Sequence, residues 1–400
     1  MSKQLQIRVT SYIGVIGLLC IASLAFGQDT PITSMGRGYW ERSNGGDFAL
    51  NVGSSLKIAT TGNVVVRGGE GNRVHFQFHQ KVRARSKQDA ARLMGALGVS
   101  AQTVSDGKIL TVMPASALNV HTELEVTVPK KLGQLIVEDQ LGSIEVLDVD
   151  SAVRADTLRG PIHMDRIQGN VVSRTGRGEI RLGVITGTVH CSSGGGPVYL
   201  ERSGGDADCL TAGGNIIVGR VGGPLSVSTE SGSIQVDSVN GPVRAHTING
   251  PVEIAQARGI VFADTQGGSI HVGQSEGVKA ESAGGMIRLR NASGVISVAT
   301  MMGDILAQLM APPASDSSLM TGSGDITLTI PSNMGLSIRA LTGSGVKSRI
   351  VSDFPEIQVK SIGFLSPVAG QGAINGGGPL LHLDASGGRI FLKKGPKENK

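Results

Sequence analysis

The chain of 400 residues contains 59 glycines but only one tryptophan, three tyrosines and eight phenylalanines, a balance that excludes a bulky, aromatic-rich core. Its formal charge of +5 resides largely in an acid-free N-terminal segment and a lysine-rich tail from Lys393, so the body is close to neutral. Such a body has neither the basic footprint nor the stacking platforms of nucleic-acid binding, and nucleic acid is excluded as a partner on composition.

In chain order, residues 1–27 read as a secretory signal: Lys3 and Arg8 supply the charged start and Ile13–Phe26 an apolar run. Ala25-Phe26-Gly27 then gives a small-residue cleavage pattern. Cys20 follows Leu18-Leu19, too bulky for a lipid-attachment site, and no later segment reaches about 18 continuous apolar residues. The sequence therefore predicts an exported chain whose mature form has no transmembrane span. Residues 28–45 read as a linker. Residues 46–140 read as irregular β-coils, with strand runs at Phe48–Val52, Val64–Val66 and the alternating Val74, Phe76 and Phe78. One helix is predicted over 86–97, with Ser86 as N-cap, Asp89 at the third position, Ala90, Leu93 and Leu97 on one face, and Gly98 as the stop. Strands are expected again at Ile109–Met113 and Leu124–Val128.

Residues 141–308 keep a nine-residue count. Between Gly142 and Gly268 glycine fills fourteen of the fifteen positions nine apart, Ser151 being the exception. One residue is lost after Gly277 and the count resumes at Gly285, Gly294 and Gly303. Two residues after each slot stands an apolar side chain, and successive halves differ. One half carries large pairs such as Ile144/Val146 and Ile180/Leu182; the other pairs Val153, Val171 or Val189 with the smaller Ala155, Ser173 or Cys191. The true repeat is therefore eighteen residues in two halves. Period-two alternation means strands, and a five-residue strand cannot bury its face alone. The fold expected is all-β: a flattened, right-handed parallel β-solenoid of two sheets, each corner glycine supplying backbone freedom. A Pro-rich insertion (309–320) is expected to interrupt the stack. Coils and a cap follow at 321–394, where Leu381 and Ile390 are again nine apart and 354–378 forms a lateral loop or cap. A basic tail closes the chain at 395–400.

Several residues are candidates for chemistry. Cys191 and Cys209 fill the same inward slot of adjacent coils, where they are either a disulfide or two small buried hydrophobes. The row Thr157, Thr175, Ser193, Thr211, Thr229, Thr247, Thr265, Ser282 and Thr300 is expected to bond along a corner stack. The outward ladder Glu145, His163, Arg181 and Tyr199, with Asp165 and Glu201 beside it, is the candidate binding face, and Glu253, His271 and Arg288 repeat its order. Charge alternation along a sheet explains that ladder equally well. His75 and His79 stand four residues apart on a strand, roughly 13 Å, too far to share a metal. No catalytic residue, metal ligand or cofactor is assigned.

The chain resembles the bacterial putative-adhesin family of β-strand-repeat proteins, related to autotransporter adhesin head domains. The resemblance rests on Thr321-Gly322-Ser323-Gly324-Asp325-Ile326, Ile330-Pro331, Thr342-Gly343-Ser344-Gly345, Ser352-Asp353-Phe354-Pro355, Ile374-Asn375-Gly376-Gly377-Gly378 and Gly387-Gly388-Arg389-Ile390-Phe391-Leu392. It implies an exported solenoid without catalytic residues, whose partner is a component of the cell envelope or surface. Two alternatives stay open: an envelope-stress-associated periplasmic protein, and a polysaccharide-active enzyme using the Glu145–His163–Arg181 face.

Overall fold

The computed structural model describes residues 25–26, 30–112, 120–345, 348–361, 363 and 366–397. Most of the signal segment, Cys20 included, Met113 of a predicted strand and the last three residues lie outside them.

Within the repeat, each strand pairs in parallel with its counterpart one coil on, eighteen residues away except across the lost residue, where Val261 meets Val278 and Ile270 meets Ile287, and across the Pro-rich insertion, where Ile305 meets Ile326. One sheet aligns Ile144 with Ile162, Ile180, Val198 and Ile216; the other aligns Val153 with Val171, Val189, Ala207 and Leu225. We call these the first and second sheets. The inward residues of both are buried in one continuous core running from Phe48 to Leu392. Between 141 and 308 large residues of the first sheet meet small ones of the second, which fills the narrow space without aromatic rings; the buried Phe48, Phe76, Phe78 and Phe354 lie towards the ends. The eighteen-residue all-β solenoid is thus present as the sequence implied.

The corner glycines act differently from expectation. Those from Gly142 to Gly268 do not adopt positive φ. A Cβ on Gly160 would instead fall inside the carbonyl of Gly142, and one on Gly232 inside that of Gly214. Adjacent coils approach too closely there for any side chain, so the residue is selected by contact between backbones. The threonine row closes the same corner. Thr175 Oγ1 donates to the Gly160 carbonyl (2.9 Å) and accepts from the Gly178 amide (3.0 Å); Thr229 and Thr247 repeat both bonds. Each hydroxyl satisfies a carbonyl of the coil before and an amide of its own corner, groups the turn would otherwise leave buried and unpaired.

Asp139 occupies this row one coil before Thr157. It is 5% exposed; its Oδ1 is buried without a partner, and Thr157 Oγ1 donates to Oδ2 at 3.4 Å. Burial raises its pKa to about 6, while the amides of Gly142, Gln140 and Leu141 pull the other way.

Neither end of the stack follows chain order. The first coil (Ser55–Thr60 and Asn63–Gly69) lies between the coil of Gln134–Asp139 and Ile144–Val149 and that of Gly107–Val112 and Val120–Pro129. The last coil (Leu380–Ala385 and Arg389–Gly395) lies between Ser317–Thr321 with Ile326–Pro331 and Leu336–Thr342 with Arg349–Ser352. Each terminal coil is therefore covered by one from further inside the sequence. Antiparallel strands finish both ends: Tyr39–Ala49, Arg73–Arg83 and Val99–Val104 at one, Val368–Ile374 and Gln358–Ser361 at the other.

Three segments differ from the sequence reading. Residues 28–45, read as a linker, contain the strands Thr33–Gly36 and the start of Tyr39–Ala49, which form a hairpin on Arg73–Arg83. Their side chains are exposed or half-buried up to Asp47, so no apolar alternation marks them. The helix spans Lys87–Gly95 and Ser86 caps it by accepting from the Asp89 amide, but Met94 fills the buried position given to Leu93. The Pro-rich insertion ends early, because Ser317–Thr321 already pairs in the second sheet.

Candidate functional site

The first-sheet strands of the repeat do not alternate perfectly. In Ile144–Val149 the burial order places Leu147 and Asp148 both outward, and the same two-residue step recurs in Ile162–Ile167 and Val198–Ser203. Asp148, Arg166 and Asn291, at equivalent points of three coils, take left-handed backbone conformations (φ 60°, 54° and 52°). These coils thus carry a bulge that turns a row of residues outward in addition to the regular ladder.

The regular ladder forms one column. Glu145, His163, Arg181 and Tyr199 are in direct register and continue through Ile217, Gln235, Glu253, His271 and Arg288. The two acid–His–Arg runs are therefore segments of the same face. Among the described residues no hydrogen bond joins Glu145 to His163 or His163 to Arg181. Arg181 is held instead by Glu179, with Nε to Oε1 at 2.8 Å, and stacks over the Tyr199 ring at 4.5 Å.

Beside it runs a column that the sequence reading caught only in part. Asp165, Glu201 and Asp237 alternate with Gly183 and Gly219, and Gly273 follows Ala255. Asp165 Oδ1 accepts from the Val184 amide at 3.0 Å across the position a side chain on Gly183 would fill. Side chains on Gly219 and Gly273 would likewise fall against the Glu201 and Ala255 carbonyls. A cavity of about 310 Å³ is lined by His163, Arg181, Tyr199, Glu201 and Asp237. A second, of about 470 Å³, begins at Asp237 and includes Glu253, His271 and Arg288. A third, of about 670 Å³, shares Gln256, Gln274 and Asn291 with the second and ends on Gly395, Pro396 and Lys397 of the tail. Together they form one trough along the rod, nine coil steps from His163 to Thr327, roughly 43 Å at 4.8 Å per step. Two buried polar atoms lack a protein partner along it, His271 Nε2 and Ser275 Oγ. Ser275 sits where the repeat has lost a residue and only an isolated bridge joins it to Ala292.

The thiols of Cys191 and Cys209 stack in register on the inner face of the second sheet, buried and free, with sulfurs 2.7 Å apart. Burial pushes the Cys191 thiol well above its ordinary range, and the pair lies on the inner face of the second sheet, away from the trough of the first. His75 and His79 remain apart in function as well as space: His79 Nδ1 bonds Ser43 Oγ at 2.8 Å. A signal for the trough was present in the sequence. Gly183, Gly219 and Gly273 each stand five residues beyond a corner glycine, at a position where other coils carry Asp165, Glu201 or Asp237.

No curated protein matches the chain. Among solved structures, a putative cell adhesion protein from Clostridium sporogenes is similar at 9% identity, covering 88% of this chain and 100% of that one with a TM-score of 0.19. Putative adhesins from Parabacteroides distasonis (11% identity, 72% of this chain and 96% of that one, TM-score 0.31) and Bacteroides fragilis (11%, 88% and 96%, 0.21) are similar to it as well. The family model described as Toastrack DUF4097 matches residues 54–350, from the first coil to the strand that covers the last one. Because that match takes in most of the solenoid, this chain belongs to the Toastrack DUF4097 family.

Proposed function

We propose that the protein is an exported, non-enzymatic rod that binds an extended polymer of the cell envelope or surface along the trough of its first sheet. The observation that carries this reading is the continuity of the trough, whose three cavities share lining residues. A continuous slot suits a chain-like ligand better than a compact one. Its walls offer both charges, Glu201, Asp237 and Glu253 against Arg181, Arg288 and Arg290. The adhesin-like names of the structural neighbours agree with this reading.

The test is retention of the purified protein on isolated cell-envelope glycan and on intact cells. A Glu201→Lys, Asp237→Lys, His271→Ala variant should lose at least tenfold in retention while keeping its β circular-dichroism spectrum. Unchanged retention would remove the trough as the binding surface. Release of reducing ends from an acidic glycan, abolished by the same changes, would make the protein an enzyme instead.

A further inference from the structure

The near-neutral whole-chain balance conceals a strong local asymmetry. Residues 30–112 hold eleven Lys and Arg against five Asp and Glu, whereas 141–308 hold thirteen against sixteen. The fold concentrates the excess further. The hairpin of Thr33–Gly36 and Tyr39–Ala49 turns at Arg37-Gly38, and the Ala84 amide donates to the Gly38 carbonyl at 2.9 Å. Tyr39 lies opposite Arg83, and Glu41 opposite Lys81. Trp40 Nε1 donates to the Ala84 carbonyl at 3.2 Å, and Ser86 then starts the helix that presents Lys87. Arg37, Lys81, Arg83, Arg85 and Lys87 are all exposed around this one tip at the N-terminal end of the rod, and none forms an ion pair among the described residues. Met35 stands beside them, 59% exposed.

We propose that this tip docks the rod on an anionic phospholipid bilayer. Unpaired cations within a Debye length of a negatively charged surface each add to attraction, and they are concentrated at an end, where a rod meets a plane without steric conflict. The exposed Met35 at the same tip adds an apolar side chain that can settle into the headgroup boundary. The alternative polyanion, a nucleic acid, needs open ring faces for stacking. Here Lys81 and Arg83 already lie over the Tyr39 ring, 5.4 and 5.9 Å from its centre, and Trp40 is half-buried against the helix.

The experiment is flotation of the full chain with vesicles of phosphatidylcholine alone or with 30% phosphatidylglycerol (about the anionic content that gives a cell-like surface potential), at low and high salt. The N-terminal segment, with Lys3 and Arg8, and the lysine tail are common to every variant, so the difference in anionic preference between wild type and variant isolates the charges of the tip. Wild type should prefer the anionic vesicles, and the preference should collapse at high salt. An Arg83→Gln, Arg85→Gln, Lys87→Gln variant should lose roughly 100-fold of it, at about fivefold per side chain. The same charge removed from the flank, Arg174→Gln, Arg202→Gln, Arg220→Gln, should leave it intact. Equal partition of wild type into both vesicles, or an unchanged preference in the tip variant, would overturn the proposal. So would tighter binding to a single-stranded oligonucleotide than to the vesicles. Because no trough residue is altered, the outcome is independent of ligand binding there.

Discussion

Asp139 shows how one side chain can tie a repeat's stability to pH. Its neighbours in the corner row are threonines that donate and accept; a carboxylate can only accept, and Oδ1 finds no donor. With a folded pKa of about 6 against an unfolded value near 3.8, the native state holds the proton more tightly. Its contribution is therefore full at low pH and is lost as pH rises from about 4 through 6, by about 3 kcal/mol. Asp139→Asn should remove that slope and raise the denaturation midpoint at pH 7 relative to wild type. Urea titrations at pH 4 and pH 7 on both proteins check this, since the remaining groups cancel in the difference. Parallel curves for the two proteins would show the carboxyl to be solvated.

At the scale of the element, the corner is the unit that decides whether coils stack. Gly232→Ala places a methyl against the Gly214 carbonyl and should destabilise the fold by roughly 3 kcal/mol or more. Gly195→Ala meets nothing within 4 Å and should change stability by less than about 1 kcal/mol in either direction. Thermal unfolding of both separates crowding from conformational freedom, because a freedom-based role would penalise them alike. The element scale is also where the sequence was most informative. Register, sheet membership and the buried row could all be read from glycine and valine spacing, since a solenoid repeats one environment many times. The trough was less legible. It depends on which outward side chains are missing, and a glycine at 183 or 219 looks like any other in a chain so rich in them. The hairpin at 33–49 was invisible because its faces are half-exposed and carry no period.

Over the whole molecule, the two ends depart from the order a sequential stack would give. That Leu381 and Ile390 belong to one coil was available from their nine-residue spacing, but Ile326 and Ile390 are 64 residues apart, off any nine-residue count, and nothing local states that Leu336–Thr342 must lie beyond Leu380–Ala385. Pairing between distant segments is a competition among similar strands, settled by the loops and the cap. Deleting 380–397 should leave a one-coil gap that Leu336–Thr342 and its cap cannot bridge in register. Hydrogen exchange should then be fast throughout 336–374, while 141–308 keeps wild-type protection. Retained protection over 336–374 would mean that the covering coil can slide down and pair directly with Ser317–Thr321.

The tucked last coil also determines how the rod bears load. A solenoid that ends on its own final turn peels one turn at a time, each step breaking a single row of bonds. Here tension applied at Gly395 enters a turn bonded on both sides, to Ser317–Thr321 and Ile326–Pro331 below and to Leu336–Thr342 and Arg349–Ser352 above. Both rows must fail together before the end comes free. A rod held at one tip and tugged along its length would therefore resist up to a single high threshold and then yield abruptly, as a latch does, where an ordinary stack would unravel by degrees.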